Sequence, residues 1–470
     1  MAQKTKSAKS SVRTEKDTLG TKQVPQDALY GIQTFRAVEN FPISGLRAHK
    51  HFVWATVVVK KAAALVNMQV GKLPKDMGNA IVKACDEILD GKHRENFVVD
   101  VYQAGAGTSH NMNANEVISN RAAEILGLAK GEYTKIHPND HVNMGQSTND
   151  IFPTAMRLAI LRQLEDFYPP LAELEKAFLK KGEEFKHILK SGRTHLQDAV
   201  PVTLGQEFNA YGLAMRKAHE RIKQAGDALK VLGIGGSAVG TGLNAAPGYR
   251  EGMIRELSKI TGWNLSGAKS LFESMESSAD FTYISSAIKN LAVELIRIAN
   301  DLRLMSSGPR TGFNEIILPP VQPGSSIMPG KVNPVMAEML DMVGFQVLGN
   351  DHAVTMAAQA GQLELNVMMP LMIHNILGSL EILKNAVASF DKRCISGIKA
   401  NMEVCEEFMY KSLGMATVLN PFIGYAKAAE VNKEAYRTGK SVKQIILEKK
   451  IMSEKDLDKI LTAKYLTGVE

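Results

Sequence analysis

Apolar residues in this chain recur mainly at steps of three and four, the spacing that places side chains on one face of an α-helix. The pattern is clearest from residue 279 to residue 307, with apolar positions at Ile284, Ala287, Ile288, Leu291, Ala292, Leu295, Ile298, Ala299 and Leu302. Gly308-Pro309 follows, and proline cannot continue a helix. The segment predicts a helix on the order of 40 Å long at ~1.5 Å per residue.

Similar helical patterns run over residues 153–185, 204–231 and 334–356, and no strand-like alternation competes with them. They predict an all-α fold built on a long central helical bundle. In places the apolar positions extend around more than half of a helix, as at Val343, Phe345, Val347 and Leu348. One chain does not cover such a surface, so we expect these helices to be buried against other subunits.

The patterns on either side of the long helices differ, which predicts three domains. Residues 1–141 mix short helices with loops, including the turn-rich stretch 105–115, and residues 142–402 hold the long helices. Residues 403–470 predict a small C-terminal helical domain. Its pattern is broken at Pro421, Gly424 and Gly439.

Composition limits the function classes. Of 470 residues, 45% are hydrophobic and 22% charged, as in globular proteins, and a net charge of +7 spread along the chain gives little support for nucleic-acid binding. Lys4, Lys6, Lys9 and Arg13 predict a solvated basic tail. The three cysteines have no CxxC spacing, which argues against a disulfide framework or a zinc site. With no apolar run of membrane length, we expect a cytoplasmic protein.

Four stretches crowd glycine with small polar residues. They are Gly105-Ala-Gly-Thr-Ser-His-Asn-Met-Asn113, Asn143-Met-Gly-Gln-Ser-Thr-Asn-Asp150, Gly192-Arg-Thr-His-Leu-Gln197 and Gly324-Ser-Ser-Ile-Met-Pro-Gly-Lys-Val-Asn-Pro334. Any one of them alone is most simply a loop, because these are the ordinary turn residues. Together they supply hydroxyl and amide donors with few carboxylates, which is suited to an anion pocket. The glycines and prolines of the last stretch indicate a loop that closes over a ligand and excludes water.

That last stretch, residues 324–334, resembles the signature loop of the aspartase/fumarase superfamily, and the other three resemble its substrate segments in the same order. The resemblance covers essentially the whole chain. It implies a lyase whose central helices form one bundle in a homotetramer, with each active site built from three chains. It also implies elimination of ammonia from L-aspartate to give fumarate, with no organic cofactor. A divalent metal such as Mg²⁺ could activate the enzyme without taking part in the chemistry.

The resemblance also implies roles for individual residues. Ser325 would be the general base, and its alkoxide would need N–H donors, a nearby cation such as Lys331, and exclusion of water. The residues that would grip the carboxylate beside the deprotonated carbon are Thr108, Ser147, Thr148 and Ser326. Those for the other carboxylate are Lys331, Asn333 and Thr194. Asn149 and His195 would lie near the leaving amine, with Glu338 orienting the His195 ring.

Whether ammonia or water leaves is the sharpest open question within the family. Residues 143–149 and 331–335 resemble the ammonia-eliminating members, since fumarases typically have lysine in place of Met144 and serine in place of Thr148. A lysine there would repel a substrate ammonium. Met369 points the other way, because those members usually carry glutamate at that position. A fumarase acting on L-malate therefore remains an alternative, as does a non-catalytic structural protein with a lyase fold.

Two other motifs lack the context they need. Gly233-Ile-Gly235 and Gly240-Thr-Gly242 follow a predicted helix, so we interpret them as turns and not as a dinucleotide-binding fingerprint. His137 and His141 are four residues apart but have no HExxH motif, so no metal site is predicted there.

Overall fold

The computed structural model describes residues 11–468, and helices hold 62% of the chain, which confirms the all-α prediction. The helices are α1 (Ile32–Asn40), α2 (Lys50–Gln69), α3 (Lys75–Leu89), α4 (Thr108–Ile125), α5 (Thr148–Glu184), α6 (Leu204–Ala228), α7 (Tyr249–Thr261), α8 (Leu271–Glu276), α9 (Ala279–Met305), α10 (Val335–Gln359), α11 (Met369–Arg393), α12 (Met402–Lys411), α13 (Met415–Val418), α14 (Asn420–Ile423), α15 (Tyr425–Thr438), α16 (Val442–Glu448), α17 (Glu454–Ile460) and α18 (Ala463–Thr467). The strands are β1 (Val12–Asp17), β2 (Gly20–Pro25), β3 (Leu189–Thr194), β4 (Gln197–Thr203), β5 (Val231–Leu232), β6 (Ser266–Gly267), β7 (Ile316–Ile317) and β8 (Lys399–Ala400).

The described chain divides into two compact units. The first holds the residues up to Phe167 together with Arg221–Lys289 and Val347–Glu381. Its core lies between α2, α3 and α4, and the α3 residues that face it recur at helical spacing. They are Ala80, Ile81, Ala84, Cys85 and Ile88. Burial of this apolar face, more than local propensity, holds α3 in place.

The second unit holds Tyr168–Glu220, Asn290–Gln346 and the chain from Ile382 onward. Aromatic side chains fill part of its interior, and the rings of Phe178 and Tyr211 meet edge to face at 5.7 Å between centroids. The short C-terminal helices enclose a separate apolar cluster of Met409, Met415, Ala416, Leu419, Val431, Ala435, Val442, Ile445, Ile446, Leu457 and Leu461. The predicted division into three domains remains a prediction.

The long-helix predictions are confirmed within a few residues. The segment predicted at 279–307 is α9, that at 153–185 is α5, and those at 204–231 and 334–356 are α6 and α10. On α10, Val347 is 1% exposed and is covered by the chain itself, contrary to the expectation for it, whereas Met342 and Phe345 are 64% and 57% exposed in the single chain. This uncovered apolar surface supports the expectation of contacts with other subunits. Within residues 11–468, no helix is long and apolar enough to cross a membrane.

The sequence showed no strand-like alternation, but two short hairpins, β1–β2 and β3–β4, accompany the helices. In β3 the buried positions are Lys190, Ser191 and Gly192, so no apolar alternation marks the strand. The turn-rich stretch 105–115 becomes helix from Thr108 onward, because its buried asparagines make tertiary hydrogen bonds such as Asn113 Nδ2 to Asn96 O at 2.8 Å.

Another prediction is wrong, because Arg13 does not belong to a solvated tail. Arg13 is 9% exposed, pairs with Glu15 at 2.8 Å and donates to the carbonyl groups of Ala28 and Tyr30 at 2.7 Å each. It thereby fixes the β1–β2 hairpin against the chain that follows. The rest of the predicted tail, Lys4, Lys6 and Lys9, lies outside the described residues.

Candidate functional site

The segment 143–150 leads into α5, and the buried carboxylate of Asp150 holds the candidate substrate-binding residues of this segment in place. Asp150 is 1% exposed and accepts hydrogen bonds from the backbone N–H groups of Ser147 at 2.9 Å, Gly235 at 3.0 Å and Ser237 at 3.1 Å. Burial raises the pKa of Asp150 to about 6, and these donors oppose the rise. Asp150 thus holds Ser147 and the loop 233–242 together.

The loop 233–242 confirms the interpretation of its glycines as turns. Gly235, Gly240 and Gly242 have φ of +87°, +97° and +72°, which only glycine adopts without strain. Asn149 Nδ2 donates to the carbonyl of Ala238 at 2.8 Å, so this loop also fixes Asn149. A two-residue strand, β5, and not the predicted helix directly precedes these glycines. No helix starts at them, because α7 begins only at Tyr249, so a dinucleotide-binding fingerprint is excluded.

Thr108 is the first residue of α4 and is exposed. Gly107 before it has φ of +93°, and a Cβ at that position would lie 2.1 Å from the ring of Phe152. One turn further along, Asn111 Nδ2 donates to Thr148 Oγ1 at 3.0 Å and lies 3.3 Å from Asn143 Oδ1. The start of α4 and the segment 143–150 are therefore joined by hydrogen bonds.

Thr194 and His195 lie at the tip of the β3–β4 hairpin. Thr194 pairs with Gln197, which leaves His195 and Leu196 as a two-residue turn. Both have left-handed φ, +55° and +58°, as a type I′ turn requires. Neither residue is glycine, so the turn is strained and must be held by the structure beneath it. Both side chains are exposed.

The base of this hairpin is fixed by a buried ion-pair cluster. The carboxylate of Glu315, fully buried, lies 2.9 Å from Arg193 Nη1 and 3.1 Å from Lys190 Nζ. Lys190 Nζ also pairs with Glu207 at 2.9 Å, and burial raises the pKa of the Glu207 carboxyl. The guanidinium of Arg193 stacks on the ring of Phe313 at 4.2 Å. Since Arg193 directly precedes Thr194, this cluster sets where the hairpin tip lies.

Glu315→Gln is expected to destabilise the protein by about 3 kcal/mol, because it removes the buried carboxylate that Lys190 and Arg193 share and leaves Lys190 only its pair with Glu207. The free energy of unfolding from chemical denaturation measures the effect. A matched control is Arg216→Gln, which removes the half-exposed pair of Arg216 with Glu175 and should cost less than about 1 kcal/mol. Equal losses in the two variants would contradict the role given to Glu315.

Residues 324–334 form an exposed loop before α10, and its two ends are tied together. Gly324 N donates to Lys331 O at 2.9 Å, and Asn333 Nδ2 donates to Gly324 O at 2.5 Å. A Cβ on Gly324 would lie 2.1 Å from the carbonyl oxygen of Lys331, so only glycine fits. Inside the loop, Ser325 Oγ accepts hydrogen bonds from the backbone N–H groups of Ile327 at 3.2 Å and Met328 at 3.0 Å. These are donors of the kind that stabilise an alkoxide.

Four further positions are Ser326, Lys331, Glu338 and Met369. Ser326 and Lys331 are exposed in the same loop as Ser325. Glu338 lies in the first turn of α10, and within the described chain no hydrogen bond joins it to His195. Met369, the first residue of α11, is 3% exposed and packs in the interior. Among residues 11–468, no group of three or more His, Cys, Asp or Glu side chains could hold a metal ion.

Sequence reasoning missed the residues beneath the polar segments. They are Lys60, Asn111, Asn143, Gln146 and Asp150, which hydrogen bond to the candidates or to one another. One signal for Lys60 was available: it interrupts the apolar run Val57-Val-Val-Lys-Lys-Ala-Ala-Ala-Leu-Val66. A lysine on the core face of a helix needs a partner inside the protein.

Comparison with known proteins gives a consistent result. Residues 20–349 match the family model described as "Lyase", and residues 415–468 match "Fumarase C C-terminus". The chain is 50% identical over 456 residues, 97% of each chain, to an aspartate ammonia-lyase of Bacillus sp. It superposes with a TM-score of 0.94 and 48% identity on a fumarate lyase:delta crystallin from Brucella melitensis bound to cobalt, covering 96% of this chain and 98% of that one. For a class II fumarase from Schistosoma mansoni the TM-score is 0.93 and the identity 37%, with the same coverage.

Proposed function

Because the chain belongs to the aspartase/fumarase superfamily of lyases, we propose that it removes ammonia reversibly from L-aspartate to give fumarate. It is a carbon–nitrogen lyase. One observation carries the choice between ammonia and water: the identity is 50% to an aspartate ammonia-lyase and 37% to a class II fumarase, each over nearly the whole chain. Met369, the position that differs from other ammonia-eliminating members, is 3% exposed, which supports a packing role for it.

The reaction proceeds by anti elimination and begins at the carbon next to one substrate carboxylate. Ser325 removes a proton from that carbon, and the N–H groups of Ile327 and Met328 stabilise its alkoxide form. The electron pair left behind spreads into the adjacent carboxylate, which becomes a doubly charged aci-carboxylate. Hydroxyl donors bind this dianion more strongly than the substrate, and that difference lowers the barrier. The donors are Thr108, Ser147, Thr148 and Ser326.

The remaining residues hold the rest of the substrate. Lys331, Asn333 and Thr194 bind the second carboxylate, where the Lys331 ammonium supplies a charge-assisted hydrogen bond. Asn149 and His195 lie near the leaving amine, and Glu338 orients the His195 ring. The C–N bond then breaks and ammonia leaves. The double bond of fumarate forms between the methylene carbon that lost the proton and the carbon that carried the amine.

The active enzyme is a homotetramer in which each active site takes residues from three chains. The exposed apolar residues Met342 and Phe345 on α10 support burial against other chains. Light scattering measures the mass, and a monomer that keeps full activity on dilution would contradict this assembly. We place the enzyme in the cytoplasm, where the buried free thiols of Cys85, Cys394 and Cys405 remain reduced. No organic cofactor is required, and a divalent ion such as Mg²⁺ acts only as an activator.

Purified protein mixed with L-aspartate should produce fumarate, followed by the ultraviolet absorbance of its conjugated double bond. The same protein mixed with L-malate should produce none, because the segment 143–150 resembles that of the ammonia-eliminating members of the family. A rise in absorbance with L-malate but not with L-aspartate would establish a fumarase instead. No rise with either substrate would favour a non-catalytic structural protein.

A further inference from the structure

Lys60 on α2 is a buried ammonium without a carboxylate partner. The residue is 0% exposed, and none of the ion pairs found in the described chain involves its Nζ atom. Its hydrogen bonds go to two neutral oxygens, Asn143 Oδ1 and Gln146 Oε1, at 2.8 Å each. Burial lowers the pKa of Lys60 to about 7, with the charge of Asp150 opposing the shift. An apolar side chain of similar length would fill this space without the desolvation cost of a charge.

Both oxygens that Lys60 holds belong to the segment 143–150. Asn143 Oδ1 also accepts a hydrogen bond from Asn111 Nδ2, at 3.3 Å. The same amide nitrogen donates to Thr148 Oγ1, at 3.0 Å. Since the Thr148 oxygen is occupied as an acceptor, its own hydrogen points elsewhere and is available to a ligand. The hydrogen bonds from Lys60 therefore reach a hydroxyl group that is assigned to the substrate carboxylate.

Gln146 provides a second connection. Its amide nitrogen donates to the backbone carbonyl groups of Val142 at 3.0 Å and Met144 at 3.2 Å, while its oxygen accepts from Lys60. Lys60 thus fixes the side chain that shapes the turn before Ser147. Donors held in place in this way do not have to reorient as negative charge develops on the substrate.

From these contacts we propose that Lys60 is a positioning residue for the elimination. It orients Thr148 and the turn before Ser147 so that they bind the dianionic intermediate in preference to the substrate. When Lys60 is protonated, its charge also adds a positive potential near Thr148, in an interior where charges are poorly screened. The inference rests on the proposed function and extends it by one residue that does not touch the substrate.

The test compares two inhibitors in the full-length enzyme. Succinate resembles the substrate dicarboxylate, whereas the nitronate form of 3-nitropropionate has the charge distribution of the aci-carboxylate. Lys60→Met should weaken inhibition by 3-nitropropionate by about tenfold or more, the size of one lost charged hydrogen bond, and inhibition by succinate by less than about threefold. The turnover number should fall by a larger factor than the Michaelis constant rises.

Lys61→Met is the matched control. The neighbouring Lys61 lies on the same helix but forms a surface ion pair with Asp86, so neither inhibition constant should change by more than about twofold. If Lys60→Met weakens both inhibitors by the same factor, the residue is structural only and the proposal is wrong.

Two further results keep the test decisive. Should Lys60→Met fail to assemble, Gln146→Met removes one of the two acceptors and leaves the ammonium bound to Asn143. It should give the same divergence at about threefold or more, and equal shifts of both constants would overturn the proposal. Failure of the proposed function is distinguished because it shows in the unmodified enzyme, as absence of fumarate from L-aspartate. The inhibitor comparison can still be made on whichever substrate that enzyme turns over.

Discussion

Ser325→Ala is expected to abolish exchange of the substrate β-proton with solvent and to lower turnover of L-aspartate by about 10²- to 10⁴-fold. The alanine has no oxygen to accept the proton, so the N–H groups of Ile327 and Met328 have no alkoxide to stabilise. Proton NMR of L-aspartate incubated in D₂O measures the exchange directly. Light scattering checks that the oligomer persists.

Ser326→Ala is the control for this experiment. It removes a neighbouring hydroxyl of the same loop, which we assign to binding and not to proton removal. Turnover should fall, but exchange at the β-carbon should still be detectable. If Ser325→Ala retained exchange at the rate of the unmodified enzyme, another group would have to be the base.

Lys331→Met should lower kcat/KM for L-aspartate by about 10- to 200-fold, the range for one charged hydrogen bond of ~1.5–3 kcal/mol. In the proposed mechanism the ammonium of Lys331 pairs with the carboxylate that does not change charge during the reaction, so most of the loss should appear in KM. Steady-state kinetics separate the two constants. The residue is exposed, so stability should not change.

Lys399→Met gives the comparison, because Lys399 is an exposed lysine of the same unit in β8, outside the proposed site. Its kinetic constants should match those of the unmodified enzyme. An equal effect of the two substitutions would mean that Lys331 acts only through net charge, and its assignment to the substrate would then fail.

The long helices could be predicted from the sequence because their stability comes from an apolar face that repeats with the period of the helix. In α9 this repeat runs without interruption, and its predicted end at residue 307 lies two residues beyond the observed one. The polar loop 324–334 was equally visible, since glycine and proline mark loops wherever they occur. Both signals are local, so a reader of the sequence needs no knowledge of the tertiary structure.

The parts that could not be predicted depend on partners distant in sequence. One of the buried residues of β3 is Lys190, which pairs with the carboxylate of Glu315, 125 residues away in the sequence. Nothing near Lys190 in the sequence indicates that pairing. The asparagines of α4 resembled turn residues because their hydrogen bonds reach other elements, as Asn111 does to Thr148. Buried polar residues of this kind carry no periodic signature, and they are the ones that support the candidate site.

The hydrogen bonds that join the two ends of the loop 324–334 limit how much of the chain must be ordered when a substrate binds. Since Gly324 is already bonded to Lys331 and Asn333, only the short arc between them has backbone freedom to lose, at about 1–2 kcal/mol of entropy per residue. A loop of the same length with free ends would lose more. Because these hydrogen bonds reduce the entropy lost on binding, a larger part of the interaction free energy between enzyme and ligand is left for breaking the C–N bond.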